Sequence, residues 1–375
     1  MNKPDQNSKP AFSGERIPFA SAFKEVSRGV ARIKQKDYLN EGPHPIIDQG
    51  QLLVSGYSDS EEGLFTDVPA IVFGDHTRCV KYIEEPFFAG ADGVKILKPA
   101  LSGNDRYWYH ALRSVRIENL GYSRHFKLLK ETSFPAHSAP RQAEICAALD
   151  KSLDLIERRK KTISRLQSLV KSRFVEMFGE GRWNIKALEE VSEIQSGITK
   201  NSKRDKYGVQ LPYLRVANVL QGELDLEEVL TIGASQSEID KTLLRKGDLL
   251  FVEGNGSKDQ IGRSAIWNGS IEPCIHQNHL IRVRLDAGLL PVFALAYFSS
   301  PAGREQIVAK AVSTSGLFTL SSGKIKTLEV PVPPLPLQRE FAAFARQAAK
   351  LEFVARQQIE KLQLLYDSLA QEYFG

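Results

Sequence analysis

The sequence predicts an α+β chain of two globular domains of similar topology, each followed by a long α-helix, the two helices pairing as an antiparallel coiled coil. Three observations carry this. A helical segment occurs twice, as PRQAEICAALDKSLDLIERRKKTISRLQSLVKSRFVEMFG from Pro140 and as PLQREFAAFARQAAKLEFVARQQIEKLQLLYDSLAQEYFG from Pro336. The copies align without a gap, matching Gln142 with Gln338, Glu144 with Glu340 and Phe178-Gly179 with Phe374-Gly375, at an offset of 196 positions at both ends (338 − 142 and 375 − 179). That offset is roughly the upper range of one domain's length. Ahead of each copy lies a stretch of short apolar runs punctuated by turn formers, and the runs come in the same order both times.

Residues 1–16 are polar, carry Pro and Ser and lack periodicity, so they read as a disordered tail. Residues 17–138 form the first domain, where PIIDQG, LLVSGY, PAIVFGDHTRCVKYI, PFFAG and GVKILKP are strand-length runs bounded by Gly, Pro and Asp, with a short helix over Tyr107 to Val115. Residues 139–180 are the first connector helix. Apolar residues recur in steps of three and four at Ile145, Leu149, Ser152/Leu153, Ile156, Ile163, Leu166, Val170, Phe174 and Met177, and Gly179 is a C-terminal stop. Residues 181–335 form the second domain, opening on LEEVSEIQSG and continuing through LPYLRVANV, LLRKGDLLFVEGNGS, IGRSAIW, CIHQNHLIRVRL, a helical LLPVFALAYFSSPAGREQIV and a strand in KTLEVPVP. Three segments pair across the domains: PIIDQG with PYLRVAN, AIVFGDH with DLLFVEG, and FFAGADGVKIL with IHQNHLIRVRL. Residues 336–375 are the second connector helix, with a seam of Phe341, Phe344, Ala348, Leu351, Ile359, Leu362, Leu365/Tyr366, Leu369 and Tyr373. At ~1.5 Å per residue each helix would span roughly 50–60 Å. A single-seam helix is unstable alone in water, and the other copy is its simplest partner.

A chain of 375 residues that is 42% hydrophobic and 25% charged has the material for about two cores. No segment approaches the ~18 uninterrupted apolar residues of a membrane helix, and the polar start lacks the core of a signal peptide, so the expectation is a cytoplasmic protein without a membrane partner. Three widely spaced cysteines, Cys79, Cys146 and Cys274, argue against a disulfide framework and for small buried apolar roles. An excess of 50 Lys and Arg over 45 Asp and Glu permits nucleic-acid binding without demanding it.

The ordered set YLNEGPHPIIDQG, PAIVFGDHTRCVKYI, PFFAGADGVKIL and GYSRHFKLLK in the first domain, and PYLRVANVLQGELDL, LRKGDLLFVEGNGS, IGRSAIW and CIHQNHLIRVR in the second, resembles the DNA-specificity (S) subunit of type I restriction-modification systems. The connectors add PxQxE and a terminal FG, and the resemblance covers the chain from about Ile17 onward. One departure is the entry SFPAHSAPRQ of the first connector, less proline-rich than VPVPPLPLQ in the second. The resemblance implies a non-catalytic target-recognition protein of bacterial defence. Each domain would read one half of a bipartite, asymmetric site on double-stranded DNA. The helices would set the spacer and dock adenine-methylating (M) subunits, two of them, and ATP-dependent restriction (R) subunits.

The residues themselves encode no familiar catalytic site. A P-loop needs GxxxxGK[ST], and the single Gly-Lys, Gly323-Lys324, is followed by Ile325. Pro333-Pro334 does not match the amino-methyltransferase loop, and no Asp or Glu is followed two positions later by Lys, as a metal-dependent nuclease of the PD-(D/E)xK type requires. No cofactor is expected. Cys274, His276 and His279 are good zinc ligands in type, but strand alternation points His279 away from the other two and no fourth ligand is evident. The glycines Gly254 and Gly256 lack a following helix and so read as a loop rather than a phosphate cradle. A self-contained DNA-modifying enzyme with an atypical site is the competing reading.

Base edges in the major groove are told apart by bidentate donors and acceptors, which loops at strand ends can present. The candidates in the first domain are Gln49, His76, Thr77, Arg78, Asp92, Tyr122, Ser123, Arg124 and His125. Those in the second are Lys200, Arg215, Asn218, Asn255, Ser257, Lys258, Gln277, Asn278, His279, Thr314 and Ser315. Against each stands a structural role: Asp48, Asp75 and Asp92 as turn formers, Arg215 as partner of an acid, Asn278 as a backbone cap. The run Glu157 to Lys161 on the first helix reads as a solvated face or subunit contact.

Overall fold

The structure, a computed structural model, describes residues 15–375 apart from Ser102, Tyr122, Lys203 and Ser315 and the side chains of Asp205 and Thr314. The expected N-terminal tail lies outside the described residues up to position 14, and its last residue, Arg16, belongs to a strand. Two compact units emerge, one of residues up to Lys161 with Ala355–Gly375, the other Thr162–Val354. Each unit thus holds one globular domain and part of each long helix.

The first unit contains β1 (Arg16–Pro18), β2 (Phe23–Glu25), β3 (Arg32–Ile33), β4 (His44–Ile47), β5 (Gly56–Ser58), β6 (Ala70–Gly74), β7 (Val80–Ile83), β8 (Phe88–Gly90), β9 (Val94–Pro99) and β10 (Ser133–Pro135), with helices α1 (Phe19–Ala22), α2 (Asp105–Ser114) and α3 (Phe126–Lys130). One sheet runs β2-β9-β6-β7, all antiparallel, and a second runs β3-β8-β4-β5, with β8 parallel to both β3 and β4. β6 reads AIVFG and is buried throughout because it is central and covered on both faces. Ile71 and Phe73 point to a core with Trp108, Phe126 and Phe134, whereas Ala70 and Val72 point to one with Ile47, Phe87 and Ile96. The Asn104 side chain caps α2 by accepting from Arg106 N at 3.1 Å, and Tyr107, Trp108 and Leu112 of that helix enter the first core. The first long helix, α4 (Ala139–Phe178), follows.

The second unit repeats the plan. Its strands are β11 (Asn184–Ala187), β12 (Ser192–Ser196), β13 (Gln210–Leu214), β14 (Leu230–Gly233), β15 (Leu249–Val252), β16 (Gly254–Asn255), β17 (Ser264–Ile266), β18 (Ile275–His276), β19 (Leu280–Leu285), β20 (Val312–Thr314), β21 (Leu317–Thr319) and β22 (Glu329–Val332). The order β12-β19-β15-β17 answers β2-β9-β6-β7, and the parallel pair β13 with β18 answers β4 with β8. The β3 to β8 pairing survives as one parallel bridge, Ile198 to Gln277. β15, LLFV, is buried at every position with the same alternation: Leu249 and Phe251 face one core, Leu250 and Val252 another.

The helices of this unit are α5 (Gln236–Thr242), α6 (Pro291–Ser299), α7 (Pro301–Lys310), α8 (Ser322–Lys326) and the second long helix, α9 (Leu335–Phe374). The single helical stretch expected over LLPVFALAYFSSPAGREQIV is corrected to two helices. Pro301 has no N–H with which to continue α6, and it opens α7 instead, with Ser300 Oγ accepting from Gly303 N at 3.4 Å.

α4 and α9 are each 40 residues long, and the antiparallel pairing follows from the two units taken separately. In the first, Ile145 and Leu149 near the start of α4 share a core with Tyr366, Ala370 and Phe374 near the end of α9. In the second, Phe174 and Phe178 at the end of α4 stack with Phe341 near the start of α9, at ring centroid distances of 5.3 and 5.8 Å. The repeated Phe-Gly ends therefore seat one copy in each core, Phe178 in the second and Phe374 in the first. The repeated Gln has a role too. Gln142 Nε2 donates to His137 O at 2.9 Å and Gln338 Nε2 to Pro333 O at 2.7 Å, each five residues back, tying the helix start to the strand before it. One seam assignment is corrected, since Leu351 is 52% exposed while Ala355 and Ala370 are buried; of the pair Leu365/Tyr366 it is Tyr366 that is buried. The apolar spacing alone could not tell a leucine beside the seam from an alanine within it.

Candidate nucleic-acid interface

In the first unit the chain leaves β4 after Ile47 and β6 after Gly74, and enters β9 at Val94, at one common edge. Asp75 N donates to Gly93 O at 2.7 Å and His76 N to the Gln49 side-chain oxygen at 3.2 Å, while the Thr77 hydroxyl donates to Gln49 O. His76 Nδ1 lies 3.1 Å from Ser123 O; a carbonyl only accepts, so this nitrogen carries the hydrogen. Gln49, His76, Thr77 and Ser123 are thereby joined in one node, with Asp92 exposed beside Gly93. Gly93 is required there, because its φ is +70° and a Cβ would lie 2.7 Å from Gln49 Oε1. Beneath the node Lys81 is buried, donating to Asp48 O at 2.8 Å with the Asp48 carboxylate at 3.6 Å. Burial pulls the Lys81 ammonium below its usual range, and Asp48 opposes that pull.

The same edge of the second unit is built from the corresponding turns. Glu253 N donates to His279 O at 3.0 Å, matching Asp75 N to Gly93 O, and Asn278 N donates to Ile198 O at 2.9 Å. The Glu253 carboxylate meets His279 Nδ1 at 3.0 Å. Gln277 and Asn278 are half-buried, His279 is exposed, and Lys200 stands exposed two residues beyond Ile198. Gly197 lets the strands close, since a Cβ there would sit 2.0 Å from His276 O. Asn255 ends β16, and Ser257 and Lys258 occupy the turn after it, where Asn255 Oδ1 accepts from Ser257 N at 2.9 Å and the Ser257 and Lys258 side chains are exposed. Nearby, the Arg204 guanidinium holds the Glu238 carboxyl down at about 2 through paired contacts of 2.8 and 2.9 Å.

Several candidates are placed differently from the expectation. His125 is fully buried, with Nδ1 donating to Asp75 O at 3.0 Å and Nε2 accepting from Leu120 N at 3.2 Å. Asn218 is 3% exposed and spends its amide on Arg215 N, Asp225 O and Glu228 O. Both are corrected from base readers to loop braces. Arg78 holds a φ of +62° and donates to Ile117 O at 3.0 Å, so it too braces a loop. Arg215 pairs with Glu228 at 2.7 Å. Arg124 is exposed, Thr314 lies in β20 with its side chain outside the described atoms, and Tyr122 and Ser315 lie outside the described residues. Cys274 and His276 are fully buried and His279 is exposed, which separates the three zinc-type side chains. Among the described residues no group of three His, Cys, Asp or Glu could hold a metal ion, and no helix is long and apolar enough to cross a membrane. Sequence reasoning missed Lys81 and Glu253. Glu253 was legible in the alignment of AIVFGDH with DLLFVEG, which sets an acid at the end of the central strand in both domains; Lys81 sits in an alternating strand with no such signal.

Two loop edges built on one repeated strand plan define an internally duplicated α+β protein. Comparison with known proteins places it. The type I restriction modification DNA specificity domain matches residues 180–363, the second globular domain and most of α9, and the chain is similar to type I restriction-modification specificity subunits. It is 33% identical over 162 residues to the EcoKI specificity subunit of Escherichia coli K12, covering 42% of this chain and 34% of that protein. It is 21% identical over 356 residues to the EcoR124I/EcoR124II specificity subunit of Escherichia coli, covering 87% and 84%. The match to the first of these relatives spans about a third of its length. The fold is similar to the crystal structure of a type I S subunit from M. genitalium, with a TM-score of 0.55 at 17% identity, covering 100% of this chain and 98% of that one.

Proposed function

We propose that this chain is the DNA sequence-recognition subunit of a type I restriction-modification complex and carries no catalytic site of its own. The observation that carries this is the duplication of the loop edge: the node of Gln49, His76, Thr77 and Ser123 in one unit and that of Glu253, Gln277, Asn278 and His279 in the other occupy equivalent strand ends. Each edge reads one half of a bipartite, asymmetric duplex through side-chain amides, hydroxyls and imidazoles. Lysines and arginines around the loops contact phosphates and make binding salt-dependent. α4 and α9 set the spacer between the halves and dock methylation subunits, two per chain, and restriction subunits. The competing reading, a self-contained DNA-modifying enzyme, finds no support in relatives named as specificity subunits.

Inserting one or two helical turns after Arg159 tests the reading, at ~3.6 residues per turn. Methylation mapping in cells carrying the partner subunits should show a changed spacer and unchanged half-sites. An unaltered spacer would refute the ruler, and failure to co-purify with a methylation subunit would refute the whole assignment.

A further inference from the structure

The turn between β4 and β5 has a feature that base reading by polar groups does not use. It runs GQLLVSG from Gly50, and from Gln49 to Tyr57 it carries no charge. Val54 turns inward against the core of Ile47, Val72 and Ala89, but Leu52 and Leu53 are 70% and 58% exposed. The turn is nevertheless pinned. Asp48 Oδ1 accepts from Gly50 N at 2.7 Å and from the Ser55 hydroxyl, Ser55 N donates to Ile46 O at 2.9 Å, and Lys81 anchors Asp48 from below. A fixed turn therefore holds two adjacent leucines out in water, three and four residues along the chain from Gln49 of the first node. An uncharged apolar tip suits neither solvent nor a phosphate backbone; the apolar environment at such an interface is the interior of the base stack.

Resting on the DNA-recognition reading above, we infer that Leu52 and Leu53 form a wedge that enters a base step of the half-site read by the first domain and partly unstacks it. The corresponding segment of the second domain, between β13 and β14, differs: it carries Glu223, Asp225, Glu227 and Glu228, which a base stack would reject. The wedge favours pyrimidine–purine steps, which unstack most easily, and so adds selectivity at a position where no hydrogen bond reads a base.

The test uses the full chain and a duplex it selects from a randomised pool, with 2-aminopurine placed in turn at each position of both half-sites. Wild-type protein should raise the fluorescence at one step of the first half-site and at none of the second. Leu52→Ala with Leu53→Ala, both at exposed positions, should abolish that rise and weaken binding about tenfold per leucine, with footprint protection of the second half-site retained. Leu52→Met with Leu53→Met should keep the rise. A selected duplex that shows no rise, or a double alanine variant that binds as tightly as wild type, would overturn the wedge while leaving recognition standing. If no duplex is enriched at all, both readings fall.

Discussion

In the first domain the strand β6 runs through Asp75 into a node held by a neutral amide, a hydroxyl, a ring N–H and backbone carbonyls; in the second, β15 runs through Glu253 into a node where a carboxylate meets His279. The difference deepens behind the loops. The first domain covers β6 with an aromatic-rich cluster on one face and a cluster of aliphatic residues with Phe87 on the other. The second buries charge: Arg284 spans Asp248 with two contacts of 2.8 Å, and Arg282, 1% exposed, pairs with Glu193 and donates to Lys241 O and Leu243 O. Strand order and alternation persist because each central strand must bury both faces. The loops and their braces differ between the domains, which is the freedom that the proposed reading of two unlike half-sites by one fold requires.

The largest effect should come from the repeated Phe-Gly ends. Phe178 packs 4.8 Å from Phe293 in the second unit, and Phe374 packs 5.4 Å from Tyr107 in the first. Phe178→Ala and Phe374→Ala should each cost about 3–5 kcal/mol through lost burial and the cavity left behind. Amide exchange should find the loss of protection concentrated in the second unit for Phe178→Ala and in the first for Phe374→Ala. Equal loss in both units from either variant would mean that they unfold as one and would break the comparison.

A smaller contrast is acid sensitivity. His276 is fully buried in β18, and burial lowers its imidazole to about 4, below the ordinary 6.5. At the equivalent register the first domain has Ala89. The unfolded chain takes up a proton at this position as pH falls through 6.5, whereas the folded chain does not until about 4, so stability is lost over that window, up to about 3 kcal/mol. His110 in the first unit is also lowered by burial, against the opposing pull of Asp150 at 2.8 Å, so its loss runs in the same direction. His276→Gln should flatten the pH dependence of amide exchange in the second unit and leave that of the first unchanged.

How much of this was legible follows from what sequence periodicity can report. The helix repeat, the short strands and their pairing between domains were all visible, since alternation and the 196-residue offset are properties of the chain. α2 at Asp105–Ser114 lies within two residues of the expected span. Burial of individual polar residues was not visible: His125 and Asn218 look like their exposed neighbours in sequence, and only long-range partners such as Asp75 O, 50 residues away, settle their roles. The same holds for Leu52 and Leu53, which read as part of an apolar strand run until the pinned turn shows them facing out.

The smallest effect is expected at Arg215, where the two domains can be compared at equivalent positions. Arg215 follows β13 as Asp48 follows β4, and Asp48 is bound to a buried lysine while Arg215 is bound to an exposed acid. Its partner Glu228 has a side chain 74% exposed, so the 2.7 Å pair is of the surface kind, contributing about 0–1 kcal/mol. Glu228→Gln should therefore leave thermal unfolding nearly unchanged. If Arg215 serves DNA, freeing it should strengthen duplex binding and steepen the dependence of log affinity on log salt by about one unit, the signature of one added phosphate contact. An unchanged slope would make Arg215 a brace like Asp48, and the proposed reading of the second half-site would then rest on Gln277, Asn278 and His279 at that end of the sheet.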